Sequence, residues 1–418
     1  MTGSDTRSRT RVCEMSPLDH HTGRRRSIAV AVALTALALA TAPVAAAPYT
    51  PTDDAQILER LPTAGNQHLR ELRRLHGELA HRPQDLALAL RIAAQDIEAS
   101  RAESDPRYNG YAEAALAPWL ALPNPPSAVL VLRATLRQAT HDFTGALDDL
   151  NRVIAAEPRN AQARLTRAIV LQVEGSYADA LKDCLSLARL TEDLVTMTCA
   201  AGINSLRGEA KAGREMLQAA IDRAVGGENA PIRLWALTSL AEIEVRMGSA
   251  ASAERHFREA LSLGLRDGYL LGAFADFLLD AGRPQEVVAL LQNEARIDPL
   301  LLRLALAEQS LGAPALARHV ADLGERFSMA RQRGDSSHQR EEGRFTLHLL
   351  HRAADALRLA EANWAVQHEP WDARLLLEAA LAAGAPAAAR PVLAWLAASQ
   401  LEDERLRGTA SRLAEAAR

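Results

Sequence analysis

Aromatic side chains are scarce in this chain: Phe, Trp and Tyr make up 4% of 418 residues, although 48% are hydrophobic. A core without aromatics is built from Ala and Leu, strong helix formers whose small volumes let helices approach closely, so the composition points to an all-α protein. Cysteine is nearly absent as well, with Cys13, Cys184 and Cys199 alone, which excludes a disulfide-dense scaffold. No phosphate-cradling glycine loop, nucleophile elbow, HExxH or CxxC pair occurs. His348, His351 and Asp355 would share a face of one unbroken helix, but His351 falls at a turn in the reading below, so no metal site is assigned. Nothing pairs a nucleophile with a base. No catalytic residue, metal or cofactor is therefore expected, and an enzyme would need a polar cluster before Arg107 that the segment lacks.

The longest apolar run, residues 28–42, is too short to span a bilayer comfortably. Arg24, Arg25 and Arg26 precede it and small residues follow it, the order of a secretory signal cut after Ala46. Residues 1–46 are read as that signal, with Met1 or Met15 as its start, and the mature protein is expected in the periplasm or secreted. The segment carries six Arg against Asp5, Glu14 and Asp19, so the remainder of a chain of net charge −4 has charge −7. An acidic, aromatic-poor protein offers no footprint for nucleic acid, and no membrane span is expected after cleavage.

One pattern recurs. In residues 141–184, Phe143, Ala146, Leu150 and Val153 are followed 34 positions later by Tyr177, Ala180, Cys184 and Leu187, each set behind a turn residue, His141 or Gly175. Further copies follow Gly208 (Gly213, Leu217, Ala220), Gly248 (Ala253, Phe257, Ala260), Gly282 (Val287, Leu291, Glu294), Gly312 (Ala317, Ala321, Gly324), His351 (Ala356, Ala360, Asn363) and Gly384 (Ala389, Leu393, Leu396). Glycine at a turn takes positive φ at no steric cost, and a small residue five places on lets paired helices close. A fixed period near 34 marks stacked helical hairpins. The steps to Gly248 and to His351 are long, and the second insertion, residues 331–343, reads as a polar loop with two readings, solvated or partner-contacting. A degenerate copy with Ala112, Leu116 and Trp119 follows Arg107, after helical patterns from Ala55, over 68–80 with Leu69, Leu72, Leu75 and Leu79, and over 85–103.

The block GSYADAL at 175–181 and Pro158 closing the preceding copy resemble the tetratricopeptide repeat (TPR). The resemblance implies a right-handed α-solenoid of stacked TPR-like hairpins. Its divisions would be an N-terminal helical region with degenerate repeats at 47–126, about eight repeats at 127–400, and a capping helix at 401–418. It further implies a concave groove lined by the second, fifth and ninth positions of each first helix. These are Val131, Thr135, Leu165 and Ile169 in the early repeats and Trp235, Glu242, Tyr269 and Asp276 in the later ones. The Lys, Asn and Arg of repeats that clamp a carboxylate terminus are missing from these positions. The implied function is non-catalytic, a scaffold or assembly factor of a bacterial-type envelope that binds a protein or peptide of unknown identity. The alternative is an accessory subunit of an envelope export or polysaccharide machine.

Cys184 and Cys199 lie seven or eight residues either side of a turn near Thr191, so they stand at similar heights on neighbouring helices. Two readings stay open, a disulfide or two small buried side chains.

Overall fold

The computed structural model describes residues 67–416 apart from 104, 225–228 and 336. The predicted signal, Cys13 and the helical pattern from Ala55 lie outside the described residues. Helices α1 (Gln67–His81), α2 (Leu86–Glu103) and α3 (Arg107–Leu120) come first. Paired helices follow: α4 (Ser127–Ala139) with α5 (Phe143–Ala156), α6 (Ala161–Val173) with α7 (Tyr177–Ser186), α8 (Asp193–Ser205) with α9 (Ala210–Arg223), and α10 (Ala230–Arg246) with α11 (Ala250–Ser262). The remaining pairs are α12 (Gly268–Asp280) with α13 (Pro284–Leu291), α14 (Asp298–Leu311) with α15 (Leu316–Gln332), α16 (Gln339–His348) with α17 (Ala353–Trp364), and α18 (Pro370–Ala382) with α19 (Arg390–Ser399). Helix α20 (Glu404–Ala416) ends the array, and no strand occurs among the described residues.

Each of the eight predicted turn residues has positive φ. Gly175, Gly208, Gly248, Gly282, Gly312 and Gly384 lie between 62° and 82°, and His141 and His351 at 60° and 54°. A left-handed backbone at a residue with a Cβ costs roughly 1–2 kcal/mol. His141 offsets part of that by stacking on Phe143, with centroids 5.4 Å apart. Five places past the turn, Ala146, Ala180, Ala253, Val287, Ala356 and Ala389 are fully buried. At Gly213 the approach is tighter still, because a Cβ there would come within 2.9 Å of the Ala201 carbonyl oxygen.

The sixth hairpin departs from the expected register. Ala317 and Ala321 are exposed, while His319, Leu323 and Phe327 face the core. An extra turn at 313–315 delays the start of α15 and shifts its inner face by two positions. The expected polar loop 331–343 is partly helix: 331–332 close α15 and 339–343 open α16, and the described residues between them form turns. Ion pairs reward the helical conformation there: Arg331 meets Glu342, and Arg340 meets Glu369 and Asp372 at 2.7 and 2.8 Å.

The late helices return to the early ones. The backbone N–H of His368 donates to the Val173 carbonyl at 2.8 Å, and the Trp395 indole N–H donates to the Tyr177 hydroxyl at 3.2 Å. Glu402 accepts from the Ala210 N–H at 2.9 Å, at the start of α9, where a carboxylate answers the helix dipole. Trp364 packs edge-on against both His368 and Trp395, at 4.7 and 5.4 Å. One apolar cluster therefore holds Tyr177, Ala180, Leu187 and Leu206 together with Trp364, Leu376, Leu401 and Leu406. A chain with few aromatics concentrates several of them at this joint.

Candidate protein-binding groove

The early groove positions are taken up by packing. Val131 is buried with Leu130 and Ala134 against Phe143, Ala163 and Val170, because the next first helix, α6, covers that face of α4. This corrects its assignment to an open groove. Thr135 is half-buried and its hydroxyl donates to the Val131 carbonyl at 3.1 Å. Leu165 and Ile169 are half-buried on α6, and Leu165 packs against the cluster shared with the late helices. Trp235 also packs there rather than standing open.

Polar groups mark the later first helices. The Tyr269 hydroxyl on α12 donates to Glu242 on α10 at 2.8 Å. The phenol is 66% exposed, yet enough protein surrounds it that desolvation and the neighbouring Glu242 and Glu369 raise its pKa well above the ordinary value.

Asp276 is a different kind of carboxylate, which corrects its pairing with Glu242 as an open groove acid. It is buried, and Arg303 (2.6 Å) and Arg344 (2.7 Å) hold it. Burial pushes its pKa up, but the two guanidinium charges outweigh that and lower it. Arg344 in turn is depressed by burial, only partly offset by Asp276, with Arg303 and Arg374 adding to the depression. Arg344 and Arg374 both stack on Trp371, 4.6 and 4.4 Å from the ring centroid, a cation–π contact. Arg374 also grips Asp280 through two bonds of 2.8 and 2.9 Å and Glu378 at 2.7 Å. Burial would raise Glu378, but the His348 hydrogen bond and Arg374 hold it down at about 2.

Between α12, α14, α16, α18 and α20, Asp280, Arg344, Arg374 and Glu378 border a cavity of about 780 Å³, with Leu279, Leu306, Leu347 and Leu381 as its apolar lining and Gln309 and Arg412 as polar lining. His348 bonds Glu378 at 3.1 Å and the His351 ring meets Gln309 at 3.3 Å. Asp355 instead pairs with Arg352 and Arg358. Among the described residues no group of three or more His, Cys, Asp and Glu could hold a metal ion, and no helix is long and apolar enough to cross a membrane. Cys184 and Cys199 are joined as a disulfide, Cα atoms 5.5 Å apart, between α7 and α8.

Sequence reasoning missed Trp371, Arg374 and Glu378, although they are the second, fifth and ninth residues of α18. The positional rule applied to α12 would have found them. Arg340 was hidden because 331–343 reads as a loop, and Arg303 because it stands one place off the rule.

No family model matches the chain, and no curated protein matches it. Among solved structures it is similar to a tetratricopeptide repeat protein from Parabacteroides merdae, at 15% identity over 75% of this chain and 99% of that one, with TM-score 0.35. It is similar to a Rap protein complexed with Competence and Sporulation Factor, at 13% identity over 80% and 99%, TM-score 0.44. A third similarity is to a human IFIT1 dimer with m7Gppp-AAAA, at 13% identity over 84% and 86%, TM-score 0.42. With eight positive-φ turns at spacings near 34 residues and a small buried residue five places after most of them, the chain folds as a TPR-like α-solenoid.

Proposed function

We propose that this solenoid is a non-catalytic protein-interaction scaffold that holds a segment of another protein against the first helices of its later hairpins. The observation that carries the reading is the wall from α10 to α18. Exposed Tyr269, the arginine-flanked Trp371 and a cavity of about 780 Å³ present aromatic, charged and apolar surface together. That mixture suits a peptide better than packing alone requires. Fold alone does not settle function, so the weight rests on this wall.

The protein is further proposed to work outside the cytoplasm, as a scaffold or assembly factor of a bacterial-type envelope. The residues 24–47 order and the bonded Cys184–Cys199 pair support an oxidising compartment. Cross-linking in intact cells, followed by mass spectrometry of the captured complex, tests both statements. Cross-links from α10–α18 to one envelope protein are expected. Cross-links confined to the outer helices, or a chain recovered from the cytoplasm with residues 1–46 intact, would overturn them.

A further inference from the structure

Acids on and beside the later first helices are largely matched by arginines: Asp276 by Arg303 and Arg344, Asp280 by Arg374 and Arg405, Glu369 by Arg340. Glu242 is not. Among the described residues its one hydrogen bond comes from the Tyr269 hydroxyl, and no Lys or Arg of those residues stands at ion-pair distance. The nearby Arg246 donates to the Ser205 hydroxyl at 2.6 Å instead. Arg340, which feels the Tyr269 phenol, is spent on Glu369 and Asp372. The result is a carboxylate that feels the Arg246 charge without an ion-pair contact, beside Tyr269, which is 66% exposed.

We infer that Glu242 and Tyr269 form a subsite for a cationic side chain, Lys or Arg, of the peptide segment bound in the groove. The ring face attracts a cation through its quadrupole, and the carboxylate adds a charge-assisted hydrogen bond. The hydroxyl bond to Glu242 ties the two together, so both present to one incoming group. Burial pushes Glu242 above the usual carboxylate range, with Glu369 and Asp276 adding to the rise and Arg246 opposing it. An arriving cation reverses that rise, and the ligand therefore binds more tightly where the carboxylate is ionised. Asp276 sits on the same face of α12, seven residues from Tyr269, but its two arginines leave it nothing to offer.

This inference rests on the groove reading, and its test separates the two. A random dodecamer library displayed on phage is selected on the intact mature chain and, in parallel, on Glu242→Gln and Tyr269→Leu. Glu242→Gln keeps an acceptor for the Tyr269 hydroxyl, and Tyr269→Leu changes an exposed side chain, so both variants should melt with the parent. Peptides selected on the parent should be enriched in Lys or Arg at one position. Synthetic copies should bind either variant about tenfold more weakly by fluorescence anisotropy. Selection of peptides without a basic position, or equal binding by Glu242→Gln, overturns the cation subsite and leaves the groove standing. Failure of the parent to select any peptide overturns the groove and the subsite together.

Discussion

The hairpin turns fall into two groups. Those at Gly175, Gly208 and Gly248 are covered by the chain's own late segment, with His368, Gln400 and Glu404 lying where a Cβ would project. Those at Gly282, Gly312 and Gly384 have nothing within 4 Å of that position. Both groups need glycine for its positive φ, but Gly208 and Gly248 also need room, whereas a Cβ at Gly175 would make only ordinary contact with His368. One sequence signal thus carries two physical causes, and the covered turns are where the array closes on itself.

The joint at the covered turns should dominate the response to mutation. Tyr177 and Phe143 occupy equivalent places two residues past a turn, both buried, but Tyr177 also meets Trp395 and His368 across the joint. Truncating either ring should cost about 3–5 kcal/mol. Tyr177→Ala should in addition speed amide exchange over residues 368–404, which Phe143→Ala should leave slow. Equal exchange in the two variants would show that Tyr177 does not hold the late segment to the joint.

Reduction of the Cys184–Cys199 bond comes next in size. A bond closing 15 residues should contribute about 3 kcal/mol on the chain-entropy model. Both cysteines sit in the cluster shared with the late helices, so reduction should lower the melting temperature and loosen the joint before the bare turns. Two thiols titrated in denatured, unreduced protein would remove the bond and this expectation with it. Smaller still is Gly282→Ala, expected to cost roughly 1–2 kcal/mol of backbone strain. Gly208→Ala should cost more, because its Cβ would meet the Gln400 Cβ at 3.0 Å and the Gln400 carbonyl oxygen at 3.2 Å. Matching melting shifts would show that the covered turn tolerates the methyl group.

The turns were legible because they are a local matter: the residue at each must take a left-handed backbone whatever surrounds it. His141 and His351 could be placed among glycines by period alone. The register of the sixth hairpin was not legible, since the extra turn at 313–315 has no repeat-like residue to mark it. Neither was the joint, because Trp364, Trp395 and Leu406 read as ordinary apolar positions until the array curves far enough to bring them to Tyr177. The wall was half legible. Trp235, Glu242, Tyr269 and Asp276 were named by position, but whether a carboxylate is matched or unmatched depends on arginines one to three hairpins away, which no local pattern reports.

Near the joint, one buried acid should give a pH signature. Asp372 begins α18 four residues after His368, taking hydrogen bonds from Asn363 and the Glu369 N–H. Burial pushes its pKa up to about 7 from an ordinary 3.8, against the pull of Arg340. The native state therefore binds this proton more tightly than the unfolded chain does. Its stabilising contribution is complete below the unfolded pKa and is lost as pH rises through about 7. Glu378, held at about 2, runs the other way: its contribution is present above 4.5 and lost only as pH falls toward 2. Between about pH 6 and 7 the Asp372 trend should stand alone of the two, so amide exchange at the start of α18 should quicken as pH rises, after correction for intrinsic rates. Asp372→Asn, which keeps an acceptor for the Asn363 amide and cannot ionise, should flatten that trend. A variant as pH-dependent as the parent would place the titrating group elsewhere.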